Sequence, residues 1–97
     1  MEVTNQEQAR AVGKILGNTT KLKILLLLAR SPMPKRKVAE MADVAWSTAW
    51  AYLSEIHDAG LTDEYYFTDG SSSMTMVRLK SGDVNINLDK IKDVKKK

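Results

Sequence analysis

Apolar residues recur at three- and four-residue steps in four successive stretches of this chain, and then alternate with polar ones in two more. Ala9, Val12, Ile15 and Leu16, separated by Gln6, Arg10 and Lys14, predict an amphipathic helix over residues 5–16 that Gly17 ends. Asn18 or Thr19 is placed to cap a second helix over 19–30, which Ser31-Pro32 stops. Its run from Ile24 to Leu28 is five large aliphatics in succession, more than one face needs, so the helix must be covered on more than one side. A third helix over 34–42 begins with Pro34 at a position where its missing N–H costs nothing. Val38, Ala39, Met41 and Ala42 give it an inward face.

Asp43-Val44-Ala45 makes a turn, and a fourth helix follows over 46–59. Ala49, Tyr52, Leu53 and Ile56 define its buried face, and Gly60 is placed for a left-handed C-terminal cap with Leu61 folding back on the last turn. Trp46, Ser47, Trp50, Ala51 and Ser54 then point outward. Residues 61–67 and 74–79, rich in aromatic, β-branched and apolar residues, predict two strands. Between them Thr68-Asp69-Gly70-Ser71-Ser72-Ser73 reads as a mobile turn. Beyond Ser81-Gly82-Asp83 an extended stretch gives way to helical spacing through Leu88, Ile91 and Val94, predicting a short helix over 88–95. The fold class is α+β, mainly α, with residues 1–97 as one domain. The order helix, turn, helix, β-hairpin is that of a winged helix-turn-helix, which presents one helix to the DNA major groove.

Composition removes several function classes. There is no cysteine, which excludes disulfides, thiolate metal sites and cysteine nucleophiles. The single histidine, His57, sits in the last turn of the fourth helix and reads as a solvated residue; one histidine among scattered carboxylates does not make a metal site. His57 and Asp58 are adjacent on a helix and point apart, so they cannot form the base-to-orienter bond of a catalytic triad. No enzyme, metal or cofactor is expected. The longest apolar run, residues 24–29, is too short to span a bilayer, and the polar start lacks the features of a secretory signal, so a cytoplasmic protein is expected.

Net charge is +3, and its distribution is more telling than its sum. Residues 1–37 hold eight basic residues, residues 38–77 none against seven acids, and residues 78–97 seven again. Basic charge flanks the fourth helix and is absent from it. Lys35, Arg36 and Lys37 crowd the first turn of the third helix, where the helix dipole disfavours cations. That placement is understandable if they meet phosphates.

The stretch Leu16-Gly17-Asn18-Thr19-Thr20-Lys21-Leu22-Lys23-Ile24-Leu25-Leu26-Leu27-Leu28, with Ser47-Thr48-Ala49-Trp50-Ala51-Tyr52-Leu53 and Ile56-His57-Asp58-Ala59-Gly60-Leu61, resembles the ArsR-type winged helix-turn-helix regulators common in bacteria and archaea. The likeness covers roughly residues 5–80. It implies a homodimeric transcription regulator that binds double-stranded DNA, with the first and last helices, 5–16 and 88–95, forming the dimer through Val12, Ile15, Leu16, Leu88, Ile91 and Val94. Three departures matter. Metal sensing does not carry over without cysteines. Positions usually holding a small polar residue, a basic residue and a histidine are Trp50, Ala51 and Tyr52. The wing tip lacks basic residues, leaving Arg78 and Lys80 on the second strand.

Base contacts would therefore fall to Trp46, Ser47, Thr48, Trp50, Ala51 and Ser54, with apolar surface that can meet thymine methyls in place of arginine forks to guanine. Phosphate contacts would come from Lys35, Arg36, Lys37, Arg78 and Lys80. A second reading stays open: a protein-association module docking a protein partner through the Trp46/Trp50 face. So does the question whether these rings face DNA, a protein or the core.

Overall fold

The computed structural model describes residues 1–91. Its elements run β1 (Glu2–Val3), α1 (Gln6–Leu16), α2 (Thr19–Arg30), β2 (Met33–Pro34), α3 (Lys35–Ala42), α4 (Trp46–Asp58), β3 (Thr62–Asp69), β4 (Ser72–Leu79) and β5 (Asn85–Ile86). Four helices and a three-stranded antiparallel sheet of order β2-β4-β3 make the α+β winged-helix arrangement that the periodicity predicts.

Local chemistry sets the helix boundaries. Asn5 caps α1, its side-chain oxygen accepting from the Gln8 N–H at 2.8 Å, and Gln8 returns the favour by accepting from the Thr4 N–H at 3.0 Å. Asn18, rather than Thr19, caps α2, accepting from the Lys21 N–H at 2.9 Å. Pro34 lies one residue before α3 rather than in its first turn, because its extended backbone (ψ 149°) is used to pair with Met76. Asp43 stops α3 in the left-handed conformation at φ 59°. α4 ends in a Schellman closure: the Gly60 N–H donates to the His57 carbonyl at 2.9 Å and the Leu61 N–H to the Ile56 carbonyl at 3.3 Å. Gly60 takes φ 85°, which a side chain would strain.

The hairpin is longer than the sequence predicts. β3 and β4 stay in register out to Asp69↔Ser72, so the stretch read as a mobile tip contracts to Gly70-Ser71, with Gly70 supplying φ 64°. Two further pairings are additions to the predicted scheme. Met33 and Pro34 pair with Val77 and Met76 at the edge of β4, and β1 runs parallel to β5 through Glu2↔Asn85 and Val3↔Ile86. The latter ties the N-terminus behind the wing, where the Met1 ammonium donates to the Asp83 carbonyl at 2.8 Å.

The core forms where α2, α3, α4 and β4 meet. Ile24, Val38, Leu53, Ile56 and Val77 are fully enclosed there. Met41, expected on the inward face of α3, is exposed. α2 buries Ile24, Leu25 and Leu28 but leaves Leu22 and Leu26 in solvent, so part of its surplus apolar surface is uncovered within the subunit. Leu88 to Lys90 form a turn where the first half of a helix is expected, and residues 92–97, which include the other half of that predicted helix and Val94, lie outside the described residues.

One buried polar group stands out. Thr62 is completely enclosed and its hydroxyl has no hydrogen-bond partner among the described residues. Thr62→Val keeps the shape and removes the orphaned hydroxyl, so it is expected to stabilise the domain by about 1 kcal/mol, or roughly 5 °C in melting temperature. Thermal denaturation followed by circular dichroism checks this, and a lower melting temperature would contradict it.

Candidate nucleic-acid interface

The two faces of α4 divide cleanly. Ala49, Leu53 and Ile56 are buried, whereas Trp46, Ser47, Trp50, Ala51 and Ser54 are exposed and Thr48 is half-buried. Trp46 and Trp50, one turn apart, pack edge to face with ring centroids 6.0 Å apart and planes at 87°. Each remains nearly half exposed, at 48% and 47%. Neither ring is core, and together they form an apolar ridge on the outward face.

Lys35 packs against that ridge. Its ammonium sits 3.7 Å from the centroid of the Trp50 ring and 3.2 Å from Glu64 Oε1, with only 12% of the side chain exposed. Lys35, expected among the phosphate contacts, shares the groove lining with Arg36 and Lys37, but its charge is held by a carboxylate on β3 and an indole face on α4. This contact links α3, α4 and the wing, and it offsets the cost of a cation at a helix start.

Arg36 and Lys37 are different. Both are exposed and form no ion pair among the described residues. They line an open groove of about 440 Å³ together with Trp46, Trp50, Ser72 and Ser73. The groove runs between the first turn of α3, the N-terminal half of α4 and the stretch of β4 that extends beyond its pairing with β2. The sequence pattern places Ser72 and Ser73 in the turn. Nothing in their sequence marks them for the groove; the extended register of the hairpin carries them there.

Arg78 and Lys80 lie at the other end of β4 and do not line this groove. Arg78 is half exposed, 3.7 Å from Asp63 Oδ2 and stacked over Tyr65 at 4.9 Å, so its charge is shared with the hairpin's outer face. Lys80 is exposed, its backbone N–H donating to the Leu61 carbonyl at 3.1 Å. His57, in the last turn of α4, is exposed with Nδ1 3.2 Å from the Thr62 carbonyl oxygen. Lys21, at the start of α2, is buried against Tyr52 and paired with Glu55, which pins α2 to the inner side of α4.

The residues assigned to a dimer contact separate in the same way. Val12 and Ile15 are 1% and 3% exposed, enclosed by their own subunit, and so offer no surface to a second one. That is a correction to the expected set. Leu16 and Leu88 are exposed and Ile91 is half-buried.

The class that this architecture defines is the winged helix-turn-helix domain. Among solved structures, the chain matches the crystal structure of a fragment of a possible transcriptional regulatory protein from Mycobacterium bovis at 28% identity, covering 77% of this chain and 76% of that one with a TM-score of 0.65. A solution structure described as the homodimeric winged helix-turn-helix DNA-binding domain of a possible ArsR-family transcriptional regulator of M. bovis matches at 28% identity, over 77% of this chain and 66% of that one, with a TM-score of 0.65. NolR from Sinorhizobium fredii matches in fold at 20% identity, over 78% of this chain and 72% of that one, with a TM-score of 0.64. ArsR-family winged-helix regulators are thus among the structural neighbours of this chain, as its sequence resemblance implies. No family model matches the chain, and no curated protein sequence does. Among the described residues, no helix is long and apolar enough to cross a membrane.

Proposed function

We propose that this protein is a homodimeric transcription regulator that binds double-stranded DNA, with α4 of each subunit in successive major grooves. The observation that carries the reading is the groove in which Arg36 and Lys37 stand beside Trp46 and Trp50. Unpaired cations and an exposed ridge on one surface are what a duplex needs, phosphates on the rim and base edges on the floor. Trp46, Ser47, Thr48, Trp50, Ala51 and Ser54 meet base edges. Arg36, Lys37, Arg78 and Lys80 meet phosphates, the last two from the base of the wing. The homodimeric neighbour supports pairing of two subunits, and Leu16 and Leu88 supply exposed apolar surface for it beside the half-buried Ile91, with Leu22 and Leu26 available on α2.

The test is a titration of fluorescently labelled duplex DNA with the full chain at several salt concentrations. A dimer neutralising six or more phosphates is expected to lose about a thousandfold in affinity between roughly 50 and 200 mM salt. Absence of binding at the lowest salt overturns the DNA reading. The competing reading, protein docking through the same face, is favoured by the lack of any lysine or arginine on α4 itself and predicts that outcome.

A further inference from the structure

The outward face of α4 has no guanidinium, ammonium, amide or carboxylate before Glu55. Bidentate recognition of guanine or adenine by arginine, asparagine or glutamine is therefore closed to it. Ser47 and Ser54 can donate or accept, and a lone hydroxyl pairs with either kind of base edge. The remaining signal in the major groove is apolar, the methyl group at C5 of a pyrimidine. Facing it, α4 carries Trp46 and Trp50, nearly half exposed and locked at right angles with 6.0 Å between centroids. The Lys35 ammonium packs on the Trp50 ring at 3.7 Å, and Lys35 is in turn held by Glu64 at 3.2 Å. The ridge is thus fixed before any partner arrives, so little side-chain freedom is left to lose on binding.

Resting on the DNA reading above, we infer that the Trp46/Trp50 ridge is a reader of C5-methylpyrimidines. It recognises the methyl group rather than the base, so thymine and 5-methylcytosine are equivalent to it, and uracil and unmodified cytosine are both poor substitutes. Trp46 and Trp50 are the specificity-determining residues. Lys35 and Glu64 are positioning residues that act through Trp50.

Four alternating duplexes test this without knowledge of a target site: poly(dA-dT) against poly(dA-dU), and poly(dG-dC) against its 5-methylcytosine form. Each pair differs by the methyl group and keeps the same phosphates and Watson–Crick pairing. Burying one methyl-sized group is worth about fourfold in affinity, so two ridge contacts should favour the methylated member of each pair by roughly tenfold. The salt slopes should be equal within each pair, because the phosphate contacts do not change. Replacing both tryptophans by alanine should bring the ratio to about one while leaving the salt slope intact. Trp46→Ala alone, which leaves the Lys35–Trp50 contact in place, should keep the fold and reduce the ratio to about fourfold or less. Equal affinities for the thymine and uracil polymers with salt-sensitive binding would overturn methyl reading and leave the DNA reading standing. A ratio that survives loss of both rings would overturn it too. Failure to bind any of the four at low salt would instead overturn the DNA reading itself.

Discussion

Leu53→Ala is expected to cost about 3 kcal/mol of stability, a large share of the roughly 5–15 kcal/mol that holds a domain of this size together. Leu53 is 1% exposed on the inner face of α4, packed where α2, α3 and β4 converge, and the surrounding backbone is held by helices and sheet that cannot easily collapse onto a void. The melting temperature should fall by about 15 °C. Ser54→Ala, the next residue along, lies on the outward face and should change stability by no more than about 0.5 kcal/mol. Urea denaturation of the two variants side by side checks the contrast. Comparable losses for both would mean that the helix is covered on its outer side as well, contrary to the face assignment on which the proposed function depends.

That face assignment was legible because α4 obeys one rule along its whole length. Ala49, Leu53 and Ile56 sit at steps of four and three, and Gly60 marks its end, so the buried stripe could be read directly and the tryptophans placed off it, while spacing left open whether their rings stay in solvent or fold into the core. The parts that escaped depend on partners far away in sequence. Lys35 has the same local context as Arg36 and Lys37, and only the arrival of Glu64 from β3 separates a packed cation from two free ones. Val12 and Ile15 show the helical spacing of any apolar stripe, and spacing does not say whether the cover comes from the same subunit or another. β2 and β1 have two residues each, too few for alternation to register, and β2 contains a proline that argues locally against a strand. The outer third of the hairpin is exposed on both faces, so its side chains carry no pattern and the backbone ladder alone extends it through Ser72 and Ser73.

Reversing the charge of the two groove cations, with Arg36→Glu and Lys37→Glu together, is expected to abolish measurable DNA binding at moderate salt. A dimer would lose four phosphate contacts, which should flatten the dependence of log K on log salt by roughly 3 to 4. The carboxylates introduced would also repel the backbone from the groove that holds Trp46 and Trp50. Folding should not suffer. Both positions are exposed and free of ion pairs among the described residues, and both lie in the first turn of α3, where acids interact favourably with the helix dipole by about 0.3–1 kcal/mol each. The variant should therefore melt at the same temperature as the wild type or slightly above it. Lys35→Met separates the two kinds of lysine: having no free charge to offer phosphate, it should leave the salt slope unchanged while disturbing the fluorescence of Trp50, from which a cation 3.7 Å away has been removed. Salt-resolved anisotropy titrations with thermal melts on the same samples decide the matter. A charge-reversed protein that still binds duplex DNA as wild type would move the phosphate contacts off α3, to Arg78, Lys80 and the C-terminal lysines.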